Sequence, residues 1–173
     1  SVNIGISGRF AEYGGTVVSH DTPIILFGDV DAVAEAELRL GRIGFDQVVG
    51  ALVDPERVFV EHPELVERSS QVTAADLRRR LESGQTTQLV DIRNPGEVRL
   101  GTIESSRPIP LAQLRDRLQE LDPTAPTVVF CAGGYRSSIA ASLLEAVGFS
   151  DVSDVLGGYG AWAATEENAA SAG

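Results

Sequence analysis

The chain has 173 residues, of which 43% are hydrophobic and 23% charged, an ordinary composition for a protein that buries a core. Its formal net charge of −11, with no basic stripe, argues against nucleic acid or an anionic membrane as a partner. No run approaches the roughly 20 apolar residues of a membrane span. A single cysteine excludes an internal disulfide, fits a reducing compartment and predicts a cytoplasmic location.

The first fifty residues alternate short apolar runs with amphipathic stretches. These patterns predict strands over 2–6, 23–27 and 46–49, and helices over 9–18 and 31–42. The following segment, 54–71, is polar and carries prolines at 55 and 63, so it is predicted to be a linker.

The rest of the chain has a more regular pattern. Thr73 is predicted to cap a helix, with Asp76 in the capping-box position. The later predicted elements are strand 88–92, short helix 95–100, helix 111–120, strand 126–130, helix 136–147, strand 152–155 and a terminal helix over 158–164. Helices that alternate with buried strands indicate an α/β domain of three layers around a mainly parallel sheet. The tail, 166–173, is small and polar and is predicted to be flexible.

Cys131 lies between an apolar run and a predicted helix. Gly133 and Gly134 allow the chain to curl, so that the backbone amides of the loop and of the helix start converge on one point. A thiol at that point should ionise readily, and the thiolate is the nucleophilic form. The alternative is that Cys131 simply finishes a core strand.

The predicted roles around this nucleophile follow from the loop. Arg136 is expected to donate to a bound anion as a second catalytic residue; the alternative is an outward salt bridge. The residues predicted to bind the substrate are Ala132, Gly133, Gly134, Tyr135 and Ser137. Asp91 and Arg93, at the end of a neighbouring strand, are expected to support the loop, or else to form a solvated pair. Two distant histidines and one cysteine make no metal site, so no metal or cofactor is predicted.

The spacing of this loop narrows its chemistry. Four residues separate Cys131 from Arg136, one fewer than in the tyrosine phosphatase loop, and a tighter ring suits a small sulfur group better than a phosphate ester. The sequence here resembles the rhodanese family, whose loop C-x-x-G-x-R is matched by Cys131, Gly134 and Arg136. Further segments similar to that family are Leu89–Arg93, Pro108–Leu111 and Gly157–Trp162. One departure is Gly101–Ser106, which lacks the histidine and proline of the family's G-H-I-P-G-A.

The resemblance implies a rhodanese-like three-layer α/β/α domain over 72–165 and a sulfurtransferase activity. Sulfane sulfur would be carried as a persulfide on Cys131, with thiosulfate or a thiol persulfide as donor and a thiol or cyanide as acceptor. One alternative is a non-catalytic regulatory or binding module attached to an upstream hydrolase or dioxygenase domain. A phosphatase or an arsenate reductase is a third, less favoured reading.

The first part of the chain looks like a partial copy of the second. Pro23–Phe27 is similar to Pro126–Phe130, and Ile43–Val48 is similar to Val147–Val152. Where the second copy has its cysteine loop, the first has Gly28–Ala32, without cysteine or arginine. Residues 1–53 are therefore predicted to be a degenerate, catalytically inactive copy of the same fold.

The aspartates of this degenerate loop, Asp29 and Asp31, are predicted to cap the helix behind it. The pair of copies resembles the tandem rhodanese C-terminal region of bacterial metallo-β-lactamase-fold fusion proteins, on the basis of Gly8–Tyr13 and Asp21–Pro23. That resemblance implies an upstream metallo-β-lactamase-fold domain as a partner.

Overall fold

The strands form two separate parallel sheets in the computed structural model, which describes residues 1–85 and 87–171. The smaller sheet belongs to a unit of residues Ile4–Arg68, and the larger to a second unit that contains the chain from Ser69 onward together with Ser1–Asn3. Each unit has its own hydrophobic core.

The smaller unit is built on one parallel strand pair. Its elements are α1 (Phe10–Val17), β1 (Ile24–Gly28), α2 (Val30–Gly41), β2 (Val48–Val53) and α3 (Pro55–Glu61), followed by a 3-10 turn over Pro63–Leu65. β1 and β2 are parallel, as expected when a helix crosses between them. Asp29 caps α2 by accepting a hydrogen bond from Ala32 N at 2.8 Å, which confirms the capping role predicted for it. The hydrophobic core of the smaller unit contains Phe10, Ala36, Leu40 and Phe45.

Two segments among the first 71 residues differ from the prediction. Residues 2–6 form no strand and belong to neither of the two sheets described; the backbone N–H of Asn3 donates instead to a side chain, Ser142 Oγ, at 2.8 Å. The segment predicted as a linker, 54–71, contains α3, the 3-10 turn and the start of another strand. Pro55 and Pro63 occupy first helical positions, where proline is favoured. The apolar residues of α3 are consecutive (58–60) and none is buried, so no periodic apolar face marks this helix in the sequence.

The larger unit carries a five-stranded, all-parallel sheet. Its strands are β3 (Ser70–Val72), β4 (Gln88–Asp91), β5 (Arg107–Pro108), β6 (Thr127–Phe130) and β7 (Val152–Val155). Their order is β3-β7-β6-β4-β5, so β6 lies at the centre of the sheet. Every residue of β6 is buried, as is typical of a parallel strand that is covered on both faces.

Helices cover this sheet on both sides. They are α4 (Ala74–Glu82), α5 (Pro95–Val98), α6 (Leu111–Leu114), α7 (Tyr135–Ala146) and α8 (Gly158–Ser171). α4 and α8 pack against each other, and a core cluster that includes Leu77, Phe130 and Trp162 lies beneath them. α7 packs against β6, β7 and α6. The predicted three-layer α/β fold with a parallel sheet is confirmed.

Smaller differences concern element ends. The helix predicted over 111–120 changes after Leu114 into 3-10 turns, with Arg117 outside helical geometry (φ −117°, ψ 16°). The flexible tail predicted from residue 166 is instead helical as far as Ser171, because alanine and glutamate favour helix; Ala172 and Gly173 lie outside the described residues. β3 and β5 are short and mostly exposed, so no apolar pattern marks them. No helix in the described ranges is both long and apolar enough to cross a membrane.

Candidate active site

Cys131 immediately follows the central strand of the five-stranded sheet. β6 ends at Phe130 and α7 begins at Tyr135, so the loop between them lies at the carboxyl edge of the sheet, where α/β proteins place their ligands. Cys131 itself is buried, with 1% of its surface exposed. Ala132 and Gly133 are exposed, and Gly134 and Tyr135 are half-buried, so solvent reaches the loop from outside.

The sulfur of Cys131 faces polar groups. The backbone N–H of Gly134 donates to Sγ at 3.1 Å, and the hydroxyl of Ser137 lies 3.7 Å from it. Gly134 has φ of +109°, a conformation that glycine adopts easily and that turns its amide toward the sulfur. The N-terminal end of α7, with its partial positive charge, lies directly behind the loop. The sulfur thus lies among hydrogen-bonding groups, which argues against a cysteine that merely ends a core strand.

The start of α8 holds the loop from the other side. Tyr159 N donates to Cys131 O at 2.7 Å, and Gly160 N donates to Ala132 O at 3.1 Å. Gly158, with φ of +57°, lies so close that an added Cβ would be 2.3 Å from Cys131 O. Gly158 was not among the predicted site residues, although the Gly157-Gly158 pair was an available signal.

Arg136 forms a two-pronged ion pair with Glu97. Its two terminal nitrogens lie 2.7 Å from the two carboxylate oxygens, and Glu97 also accepts a hydrogen bond from Asn94 N at 3.1 Å. Hydrogen bonding to Arg136 lowers the pKa of Glu97 to about 2. Two roles were predicted for Arg136: donating to a bound anion, or forming a salt bridge. The structure shows Arg136 in a salt bridge. Glu97, the other half of the pair, was not among the predicted site residues.

Asp91 and Arg93 form a buried ion pair behind the loop. Arg93 Nε lies 2.9 Å from Asp91 Oδ1, and an outer nitrogen of the guanidinium lies 2.6 Å from Oδ2. The residues are 0% and 3% exposed, so the alternative of a solvated pair is wrong. The guanidinium also lies over the Tyr159 ring, 4.1 Å from its centroid. Because Tyr159 N holds Cys131 O, this contact connects the pair to the loop, as a supporting role requires.

Other parts of the described chain add little to the site. Within residues 1–85 and 87–171, no three His, Cys, Asp or Glu side chains come together as metal ligands. A shallow depression near Gln88, Arg107 and Leu121 lies at the amino end of β4, at the edge of the sheet opposite to Cys131. Parallel α/β sheets rarely bind ligands at that edge.

Comparison with known proteins gives a consistent result. The family model described as Rhodanese-like domain matches residues 73–165. Thiosulfate sulfurtransferase GlpE of Ectopseudomonas mendocina is 40% identical over 77 residues, which are 44% of this chain and 71% of the relative. Uncharacterized protein YqhL of Bacillus subtilis is 36% identical over 75 residues, 43% of this chain and 60% of that protein. This chain therefore spans less than two thirds of YqhL.

A solved structure shows the same architecture. The crystal structure of a rhodanese-related protein from Thermoplasma volcanium aligns with a TM-score of 0.51 and 31% sequence identity. The alignment covers 56% of this chain and 92% of the other. The residues matched by the family model, 73–165, lie within the larger unit, which carries the cysteine loop.

Proposed function

This chain belongs to the family of rhodanese-like domains, and from that premise we propose that it is a sulfurtransferase that carries sulfane sulfur on Cys131. The observation that carries the proposal is the position of Sγ, which accepts the Gly134 N–H in a loop at the amino end of α7. Likeness to thiosulfate sulfurtransferase GlpE supports the reaction class.

The proposed reaction has two displacements. The Cys131 thiolate attacks the sulfane sulfur of the donor; a sulfur–sulfur bond forms on Cys131, and the donor leaves as sulfite or as a thiolate with the electron pair of the broken bond. An acceptor thiolate or cyanide then attacks the terminal sulfur and releases the Cys131 thiolate. We propose that the loop amides of Ala132 through Ser137 stabilise the charge on that terminal sulfur.

The charge of the loop bears on the donor. Thiosulfate carries two negative charges, whereas a thiol persulfide carries one. The only cationic side chain between Cys131 and Ser138 is Arg136, and Glu97 neutralises it. Because the positive charge of Arg136 is neutralised, the loop offers a bound anion mainly its backbone N–H groups. Such a loop should bind the singly charged persulfide in preference to the doubly charged thiosulfate. We therefore propose a thiol persulfide as the preferred donor, with thiosulfate as a slower one.

Intact mass spectrometry tests the proposal. The reduced protein, incubated with glutathione persulfide and then desalted, should gain about 32 Da, one sulfur atom, and lose it again on addition of a thiol. Cys131→Ser removes the only thiol and should gain nothing. Ser138→Ala, which removes a hydroxyl that bonds Tyr135 O, is the matched control and should gain the same mass as the unaltered protein.

Two other results would overturn the sulfurtransferase. Absence of a persulfide in a folded protein would favour the regulatory or binding module. Hydrolysis of an aryl phosphate or reduction of arsenate, lost in Cys131→Ser, would favour a phosphatase or an arsenate reductase. The upstream metallo-β-lactamase-fold domain and the cytoplasmic location stay predictions, which the native gene context and cell fractionation would test.

A further inference from the structure

Tyr159, the second residue of α8, contacts the cysteine loop but has no part in the reaction proposed for Cys131. Its backbone N–H donates to Cys131 O at 2.7 Å, and the next N–H, of Gly160, donates to Ala132 O at 3.1 Å. The first N–H groups of an α-helix have no acceptor within the helix. The two loop carbonyls supply those acceptors, so the start of α8 and the cysteine loop fix each other.

These two hydrogen bonds decide the direction of two loop amides. In a planar trans peptide unit, the C=O and the N–H point in opposite directions, and the described chain contains no cis peptide bond. The carbonyl groups of Cys131 and Ala132 point toward α8. The N–H groups of the same two peptide units, which belong to Ala132 and Gly133, therefore point away from α8.

The Ala132 and Gly133 amides are available to a ligand. Neither of them donates to a protein acceptor within the described part of the chain, and both residues are exposed. The Gly134 N–H, in contrast, already donates to Cys131 Sγ. A sulfur atom added to Sγ carries a negative charge, and backbone N–H groups stabilise such a charge. Ala132 and Gly133 thus offer two free donors to that atom.

The side chain of Tyr159 is held by two neighbours. The Arg93 guanidinium lies 4.1 Å from the ring centroid, and it is itself fixed by Asp91 Oδ2 at 2.6 Å and by Gly101 O at 2.7 Å. Gly101 also lies against the Tyr159 hydroxyl, so closely that an added Cβ would overlap the hydroxyl oxygen. The ring therefore has little freedom, and it belongs to the residue whose N–H holds Cys131 O.

We propose that Tyr159 is a positioning residue for sulfur transfer. Its ring, held by Arg93 and Gly101, fixes the start of α8, and α8 in turn orients the Ala132 and Gly133 amides for the terminal sulfur of the persulfide. This role rests on the proposed function and adds no chemical step to it. Because the amides meet charge on the transferred sulfur, loss of the ring should slow sulfur transfer in particular.

The rate of persulfide formation, followed by intact mass after addition of glutathione persulfide, tests the role. Tyr159→Ala removes the ring and should lower the rate constant at least about tenfold, because misplaced donors lose most of their effect. Tyr159→Phe keeps the ring and should lower it less than about threefold. Tyr13→Ala, the matched control, removes a half-buried ring that lies beside Arg9 in the smaller unit and should leave the rate unchanged.

Alkylation by iodoacetamide separates positioning from a general loss of structure. The Cys131 thiolate also attacks this reagent, but the negative charge leaves with iodide and no anion stays bound to Sγ. Tyr159→Ala should therefore be alkylated within about twofold of the rate of the unaltered protein. If alkylation and persulfide formation slowed by the same factor, the ring would only maintain the surroundings of the thiol, and the positioning role would be refuted.

A double variant tests the contact while the ring is kept. Gly101→Ala should slow persulfide formation, since its Cβ displaces the Tyr159 hydroxyl. In Tyr159→Phe that oxygen is absent and the next ring atom lies 3.4 Å from the added Cβ, so the same substitution should cost at least about threefold less. The strain of Ala at φ of +138° is common to both backgrounds and cancels. Equal effects in the two backgrounds would overturn the proposal.

The positioning role and the proposed function fail in different ways. No gain of mass in the unaltered protein would refute the sulfurtransferase and the role of Tyr159 with it. A gain of mass at the same rate in Tyr159→Ala and in the unaltered protein would leave the sulfurtransferase intact and refute the positioning role alone.

Discussion

Gly158 lies against the backbone carbonyl of Cys131, so closely that the residue cannot carry a side chain without displacing the loop. An ideal Cβ at this position would lie 2.3 Å from Cys131 O and 2.9 Å from Ala132 O. The close approach lets the next two amides, of Tyr159 and Gly160, bond these carbonyls. The amino end of α8 thus sets the position of the nucleophile.

The first prediction follows from this contact. Gly158→Ala should lower the free energy of unfolding by about 2–4 kcal/mol, because it combines a backbone clash with a left-handed φ. Gly133→Ala, in the same loop, meets nothing within 4 Å and should unfold like the unaltered protein. Urea unfolding measures both. If the two variants were equally stable, the close contact between Gly158 and the carbonyl groups of the cysteine loop would be refuted.

The buried ion pair gives a second prediction. Arg93→Gln leaves Asp91 buried without its cation and should cost about 3–5 kcal/mol of stability. It should also slow persulfide formation, since the contact with Tyr159 is lost. Arg79→Gln breaks an exposed pair with Asp76, and we expect no measurable change in unfolding. If both variants lowered the free energy of unfolding by a similarly small amount, the prediction that Asp91 and Arg93 support the cysteine loop would be contradicted.

Glu97 should make stability depend on pH in the acid range. Its pKa in the folded protein is about 2, below the ordinary value of 4.5, so its ion pair stabilises the protein above pH 4.5. This contribution disappears as pH falls from 4.5 toward 2. Because the side chain is 34% exposed, solvent screening limits the effect to about 1 kcal/mol.

The measurement is the difference in unfolding free energy between the unaltered protein and Glu97→Gln, taken at several pH values. The difference should be constant near neutrality and should shrink below pH 4.5. Glu104→Gln, at an exposed position, should leave the pH profile unchanged. If the difference grew as the solution became more acidic, the stabilising role of the ionised Glu97 side chain would be refuted.

The same variant tests the preferred donor. Glutamine can still occupy the capping-box position, but it no longer neutralises Arg136, so the loop gains a net positive charge. We expect kcat/KM for thiosulfate, relative to that for a thiol persulfide, to rise about three- to tenfold. An unchanged ratio, as expected for Glu104→Gln, would mean that Arg136 does not influence donor charge.

Local sequence patterns were sufficient for much of this protein. The apolar strand before Cys131, the glycines after it and the helix behind it predicted a nucleophile loop, and Sγ does meet the Gly134 amide there. Thr73 caps α4 as predicted, and the alternating pattern identified the parallel α/β fold. These features depend on residues close together in the chain, whose local preferences agree with the fold.

Tertiary structure decided the rest. Arg136 meets Glu97, 39 residues away, and the loop carbonyls meet the start of α8, pairings that spacing cannot reveal. In the sequence Asp154 is one more polar residue of a short strand; the sheet buries it and places it opposite Gln71, whose side-chain amide donates to it at 3.3 Å. The sequence by itself determined which thiol is the candidate for reaction. Its charge environment was decided by folding, because burial and distant partners set the free energy of every ionised group around it.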